Sequence, residues 1–444
     1  MIRRSVAGRG SSAISASKDC YVGLDFGTSG ARASVIDVGC TEIHVSKAKY
    51  MKDKQTPWHS AWERALEELI QTIPDEMVAN VKGVAFDGTS ATTLLLDRST
   101  GKILADPKLY NESQSTEAVE KAKGIAPPGH PAQASTSTLS KVIAWDMLSA
   151  WQECEKNGVK HPGILHQADW LASLLHGDRF CSDYTNSLKL GYDPEKMEYP
   201  HWLASQDYAH LFPTRLVAPG DPVGCVTAGA EERFGLPQTC MVSGGVTDSI
   251  AAFIAAGVSK EGEAVTSLGS TLAIKMLSKK RVDAVEYGIY SHRLGDVWLV
   301  GGASNSGGVV LRKFFSDEKL EELTPLIKPE VPTGLNYYPL SAPGERFPVN
   351  DPNLQPRLEP RPESDVQFLQ GMFEGIADIE RKGFQLLADL GAGSLKRVVT
   401  AGGGAVNSKW TEIRSKKLGV PVEAAENGEA AYGAALLAKQ GAPQ

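Results

Sequence analysis

The chain has 444 residues, of which 42% are hydrophobic and 22% charged, the make-up of an ordinary globular protein of about two to three domains. Its 53 acids outnumber its 46 Lys and Arg, a formal net charge of −7, so no basic field for nucleic acid is expected. No apolar run approaches the roughly 18 residues of a membrane helix, and the six cysteines form no C-x-x-C and no Cys/His zinc spacing, which reads as free thiols in a reducing compartment.

Residues 1–18 carry Arg3, Arg4, Arg9 and Lys18, five serines and no acid. This reads either as an organelle transit peptide or its remnant, or as a disordered tail, and residues 1–19 are set apart on that ground. Residues 21–37 then predict a β-hairpin: an apolar strand, the turn Gly27-Thr28-Ser29-Gly30 and a second apolar strand. Asp25 sits where the first strand enters the turn. A turn rich in Gly, Ser and Thr can form an anion-binding concavity, and one carboxylate beside phosphates is how Mg²⁺ is commonly held. The same residues also suit a plain hairpin turn, although a carboxylate inside a strand end needs a partner.

Trp62, Leu66, Leu69 and Ile73 predict a helix over 60–73. A strand over 81–86 ends in Asp87-Gly88-Thr89-Ser90, and another over 92–96 leads to a turn at 97–101. Residues 139–156 and 165–176 read as helices. Near the middle, a short strand from Met241 runs through Gly244-Gly245 to Asp248, and an Ala-rich helix follows over 249–256. Asp248 is either an acid favoured by the helix dipole or a general base facing a cleft. Residues 264–276 form a second predicted hairpin around Gly269-Ser270-Thr271, an echo of the first that suggests two halves of one design.

Residues 325–362 hold ten of the 25 prolines, so a long irregular connector is expected there. One long helix over 368–390, a strand over 397–400, a Gly-rich turn over 401–406, a helix over 407–418 and a closing helix over 430–439 complete the chain. The turn carries Gly402-Gly403-Gly404, which lets backbone approach a ligand at a helix N-terminus. Asn407 can cap that helix, and Trp410, one turn on, shares its face, where a base or ribose could pack. Neither a Rossmann G-x-G-x-x-G at this turn nor a G-x-x-x-x-G-K-[ST] anywhere is present, so a nucleotide would be bound without a P-loop.

Together these segments resemble the FGGY carbohydrate kinases, within the actin/hexokinase/sugar-kinase fold group, from about residue 20 to 440. Residues 25–29 resemble the family's first phosphate loop, 267–271 its second and 401–410 its adenosine motif. Further parallels are 169–193, 301–308, the Gly-Glu-Arg loop at 343–348 and the closing helix from Glu429. Val84-Ala85-Phe86-Asp87-Gly88-Thr89-Ser90 and the short length look most like the plant and cyanobacterial D-ribulose kinases, long labelled xylulose-kinase-like.

The resemblance implies an α/β fold of two actin-like, ribonuclease-H-like lobes about a central cleft, with a sugar-binding lobe over 20–245 and a nucleotide-binding lobe over 246–444. It implies ATP-dependent phosphorylation of a ketopentose, most simply D-ribulose, with D-xylulose or another polyol as the alternative. An actin-like ATPase and a sugar-sensing pseudo-kinase are the readings from other classes. Asp248 would be the general base. Asp25 would orient Mg²⁺, with Thr28 at the γ-phosphate, and Gly269, Ser270, Thr271, Gly403, Gly404, Asn407 and Trp410 would hold ATP. The sugar would lie among Asp25, Ser29, Gly30, Thr89, Ser90 and Asp248. No nucleic acid or membrane partner is expected, and monomer and homodimer are both open. The location would be the chloroplast stroma if the N-terminal stretch is a transit-peptide remnant, and the cytoplasm otherwise. Two departures stand out: Leu109-Tyr110-Asn111-Glu112-Ser113-Gln114 lacks the family's Arg near the sugar, and Lys141-Val142-Ile143-Ala144-Trp145 is one residue longer than its Lys-x-x-Trp.

Overall fold

Two sheets of matching plan organise the molecule, seen in a computed structural model that describes residues 18–443. The tail and transit-peptide expectation for residues 1–17 lies outside the described residues. In the first sheet the strands lie in the order Pro222–Cys225, Met241–Ser243, Val81–Gly88, Cys20–Phe26, Gly30–Asp37 and Glu42–Lys49, with Val246–Thr247 also pairing Val81–Gly88. The second runs Tyr290–Leu294, Val297–Ser304, Leu272–Ser278, Glu263–Leu268, Arg397–Ala401 and Val422–Ala424. In each, an antiparallel hairpin is flanked on its first strand by a parallel neighbour. The central strands are buried on both faces, which is why Cys20–Phe26 reads as a nearly unbroken apolar run.

Helix Trp58–Thr72 covers the first sheet with Trp62, Leu66, Leu69 and Ile70 at helical spacing. Helix Asp365–Asp389 buries Phe368, Met372, Phe373 and Ile376 in the second core. The lobes are joined by crossed helices. Ala430–Gly441, from the end of the chain, lies on the first sheet, while Asp248–Ala255 packs with Val265, Leu277 and Leu299 of the second. The crossing is close because small residues allow it: a Cβ on Gly433 would stand 1.9 Å from the Ala251 carbonyl oxygen, and one on Gly23 would stand 1.9 Å from that of Ala431.

Both hairpins and the long helix form where the sequence predicts them. The 139–156 helix instead divides into Thr138–Met147 and Ala150–Lys156, because Ser149 takes a left-handed backbone with φ of 52°. The strands Glu42–Lys49 and Pro162–His166 are additions to the sequence reading. The proline-rich connector is irregular but packed, burying Tyr337, Tyr338, Leu340 and Phe347. All six cysteines are free thiols, and among the described residues no helix is long and apolar enough to cross a membrane.

Candidate active site

In the first hairpin the turn closes through the Gly27 N–H donating to the Gly30 carbonyl at 3.2 Å, and the Tyr50 hydroxyl donates to the Gly27 carbonyl at 2.9 Å. Thr28 and Ser29 stand exposed at the tip, with Gly30 half-buried. Asp25 lies opposite Arg32 in the hairpin and opposite Asp87 in the parallel pair. Asp87 is fully buried, and among the described residues no group other than the Asp25 carboxyl stands beside its carboxyl oxygens to bond them. The Asp25 carboxyl is its neighbour, and two carboxyls bond only when one keeps its proton. Burial, then the charges of Asp25 and Asp248, push Asp87 well above the usual carboxylate range. Burial also raises Asp25, opposed by the bond to Asp87.

Asp248 joins this pair through strand register. Val246 and Thr247 pair with Asp87 and Gly88, so the next residue, Asp248, opens its helix beside the ends of the two acid-bearing strands. The approach needs glycine: a Cβ on Gly245 would stand 2.7 Å from the Phe86 carbonyl oxygen. The Ser249 N–H donates to Asp248 Oδ1 at 2.6 Å. Burial raises the Asp248 pKa, while that bond, Lys275 and Lys189 oppose the rise. Thr89 differs from its expected place as a sugar contact. It is buried, and its hydroxyl bonds to Gln167 Oε1 at 2.9 Å and Thr92 Oγ1 at 2.6 Å, so it shapes the wall instead of offering an open hydroxyl. Ser90 is half-exposed.

The second hairpin builds a different surface. Gly308 N–H donates to the Gly269 carbonyl at 2.9 Å and Val309 N–H to that of Ser270 at 3.1 Å, seating the turn on the start of helix Gly308–Leu311. Buried Glu345 of the Gly-Glu-Arg loop holds the supporting segment, accepting from Ser304 Oγ at 2.6 Å and the Asn305 N–H at 2.7 Å. Beside the turn lies a pocket of about 600 Å³ whose lining includes Gly269, Ser270, Gly403, Gly404, Asn407 and Trp410. That is an ordinary size for a cofactor-sized ligand. A Cβ on Gly269 or Gly403 would meet no protein atom within 4 Å, so these glycines leave room that packing alone does not demand. Trp410 is buried, stacked on Phe373 at 4.5 Å between ring centroids, and Asn407 caps its helix by accepting the Trp410 N–H at 2.9 Å. Thr271 is exposed at the turn and stands outside this pocket's lining.

The structure thus brings Asp25 and Asp248 to one side of the cleft and the second turn, the glycine triplet and Trp410 to the other. In the sequence Asp87 stands only at a strand end with no role of its own; its burial is a product of the sheet. Leu311, Thr324 and Phe373 of the pocket wall come from separate segments and carry no local signal. The departures from the family pattern are structural as well: Lys141 is buried and donates to the Ala91 and Leu109 carbonyls at 2.6 and 2.7 Å, and the Gln114 amide turns to the Glu112 carbonyl at 2.9 Å. Among the described residues no group of three His, Cys, Asp or Glu could enclose a metal. One partly buried carboxylate, Asp25, next to a turn open to phosphate fits the way Mg²⁺ is bound with a nucleotide.

A cofactor-sized pocket beside the second hairpin and a carboxylate cluster beside the first, on two sheets of matching plan, are the parts of a two-lobed phosphotransferase. The chain belongs to the FGGY family of carbohydrate kinases: residues 20–255 match the family's N-terminal domain and residues 264–441 its C-terminal domain. It is an ATP-dependent carbohydrate kinase. It is similar to the xylulose kinase of Bacillus subtilis, with 24% identity over 95% of this chain and 88% of that protein. A ribulokinase of Shouchella clausii is 24% identical over 58% of this chain and 53% of its own length. The crystal structure of xylulose kinase from Rhodospirillum rubrum shares the fold at a TM-score of 0.76, with 21% identity over 94% of this chain and 89% of that one.

Proposed function

We propose that the enzyme phosphorylates a ketopentose, with D-xylulose the first acceptor to test. The observation that carries the reading is the position of Asp248, raised in pKa by burial and set beside the Asp25 strand end, across the cleft from a nucleotide-sized pocket. Full-length relatives named xylulose kinase favour D-xylulose over the D-ribulose that the sequence resemblance suggests. D-Ribulose is the second reading, supported by the Val84–Ser90 segment at the acid pair.

In this reading Gly403, Gly404, Asn407 and Trp410 hold the adenosine end of ATP, and the turns Gly269-Ser270-Thr271 and Thr28-Ser29-Gly30 face its phosphates. Magnesium, when bound beside Asp25, supplies charge neutralisation on the phosphates. Ser29, Gly30, Ser90, Asp25 and Asp248 surround the sugar, with Thr89 behind Ser90. Asp248 accepts the proton of the attacking hydroxyl, a contribution of typically 10²–10⁴-fold; the remaining rate comes from positioning and charge neutralisation. Closure of the lobes excludes water as a competing acceptor. ADP release measured in parallel with D-xylulose, D-ribulose, L-ribulose and glycerol tests the proposal. A ketopentose should accelerate release well above glycerol; release indifferent to every sugar would favour an ATPase or a sensing role instead.

A further inference from the structure

The turn that follows the strand carrying Asp87 is held in a conformation its sequence does not favour. Residues 89–92 close through the Thr92 N–H donating to the Thr89 carbonyl at 3.2 Å. Ala91, the third residue of this tight turn, takes a left-handed backbone with φ of 67°. Glycine or asparagine ordinarily fills that place, because a Cβ there crowds the following carbonyl oxygen. Strain of this kind persists only where the surroundings over-determine it, and it gathers at ligand clamps.

A buried lysine supplies the restraint. Ala91 is fully buried, and its carbonyl accepts from Lys141 Nζ at 2.6 Å and from the Thr93 hydroxyl at 2.9 Å. Lys141, fully buried on helix Thr138–Met147, also donates to the Leu109 carbonyl at 2.7 Å. Its ammonium thereby ties the turn to the segment 109–114. Both partners are carbonyls, an unusual seat for a buried charge, which is ordinarily paired with an opposite one. The rest of the turn is fixed as well, with the Thr89 hydroxyl bonded to Gln167 and Thr92. Thr89, Ala91 and Thr92 are buried and Ser90 is not. All this restraint therefore falls on a turn whose open tip is a single serine.

We propose that Lys141 is a positioning residue, which holds the 89–92 turn in its left-handed form so that Ser90 meets the acceptor sugar at a fixed place. The inference rests on the ketopentose reading, in which Ser90 lies against the sugar, and adds to it a buried residue that acts only through the Ala91 carbonyl. The hold depends on charge. Burial brings Lys141 down to about 7, with Glu112 opposing the fall and Lys189 and Lys108 adding to it. Below that pH the ammonium donates charge-assisted bonds; above it the neutral amine donates weaker ones, and Ala91 loses part of its restraint. Affinity for the sugar should therefore fall as pH rises through about 7, while affinity for ATP, whose pocket is in the other lobe, should not.

The test is steady-state kinetics of the full chain, on whichever ketopentose it turns over, at pH values on both sides of neutrality. Lys141→Met should raise the sugar KM about tenfold, the scale of one charged hydrogen bond. It should leave the KM for ATP unchanged and flatten the rise of the sugar KM above neutral pH. Glycine adopts a positive φ without steric cost, so adding Ala91→Gly to Lys141→Met should restore most of the lost affinity. A lysine that served stability alone would show no such rescue. If Lys141→Met does not fold, Ala91→Gly alone decides: its turn no longer needs the lysine, so its sugar KM should rise less with pH than that of the wild type. An unaltered sugar KM in Lys141→Met, an equal rise in the KM for ATP, no recovery in the double variant, or identical pH profiles in Ala91→Gly and wild type overturns the inference. A wild type that turns over no ketopentose would instead overturn the ketopentose reading beneath it.

Discussion

Asp25 and Ser267 occupy the same place in two hairpins of one design. Each stands two residues before the turn glycine, Gly27 or Gly269, and each has a parallel neighbour on the next strand. In the first lobe those neighbours are two acids, Asp25 and Asp87; in the second they are Ser267 and Ala401. One backbone plan therefore yields a carboxylate site in one lobe and an uncharged surface in the other. The contrast has a chemical logic. A phosphate chain carries its own negative charge and is best cradled by N–H groups and small residues, whereas the acceptor and a cation need carboxylates. The buried charges differ in the same way. In the second lobe Glu380 is held by Arg414 at 2.7 Å and accepts from the Thr266 hydroxyl at 2.5 Å, while Arg414 also donates to Thr400. In the first, Asp87 has only another acid beside it.

The largest effect expected is at the junction of the lobes. Asp248→Asn should lower the sugar-dependent rate by about 10²–10⁴-fold while ATP affinity, measured by titration calorimetry, holds. Next comes the paired charge: Glu380→Ala strands the Arg414 guanidinium and should cost about 3–5 kcal/mol in denaturant unfolding. Making the first hairpin resemble the second, Asp25→Ser should lower kcat by roughly 10²-fold, and added Mg²⁺ should not restore it. The reverse exchange, Ser267→Asp, puts a negative charge under the phosphate turn. It should raise the KM for ATP on the order of tenfold, the scale of one like-charge contact near a surface.

The smallest effect concerns pH. Asp87 has a folded-state pKa well above its unfolded value. A raised acid favours the folded state fully below its unfolded pKa, and that contribution is lost as pH rises through the folded pKa. Asp87→Asn cannot titrate, so its urea midpoint should exceed that of the wild type on the alkaline side, with the gap closing as pH falls. A constant gap across pH would contradict the assignment of Asp87 as the unpartnered acid.

What the sequence makes legible is what is local. The hairpins, the glycine triplet and the Asn407 cap declare themselves because turn chemistry and strand alternation act over a few residues. Glu42–Lys49 escaped because its pattern is that of an exposed strand, with Ile43 and Val45 facing solvent. The break at Ser149 escaped because no glycine marks the left-handed residue. The candidate site divides the same way. Asp25 and Asp248 stand at strand and helix boundaries that a reader can find, whereas the burial of Asp87 and the seat of Lys141 exist only once distant segments come together. Thr89 shows the converse: a hydroxyl in a suggestive motif that the fold turns inward onto Gln167.

The most direct test of the account is phosphorus NMR of the reaction mixture, with wild type and Asp248→Asn compared at equal nucleotide occupancy. The account predicts a new sugar phosphate resonance that appears with Mg²⁺, ATP and a ketopentose together, and that Asp248→Asn forms at least about 10²-fold more slowly. Equal rates of sugar phosphate formation in the two proteins would contradict it.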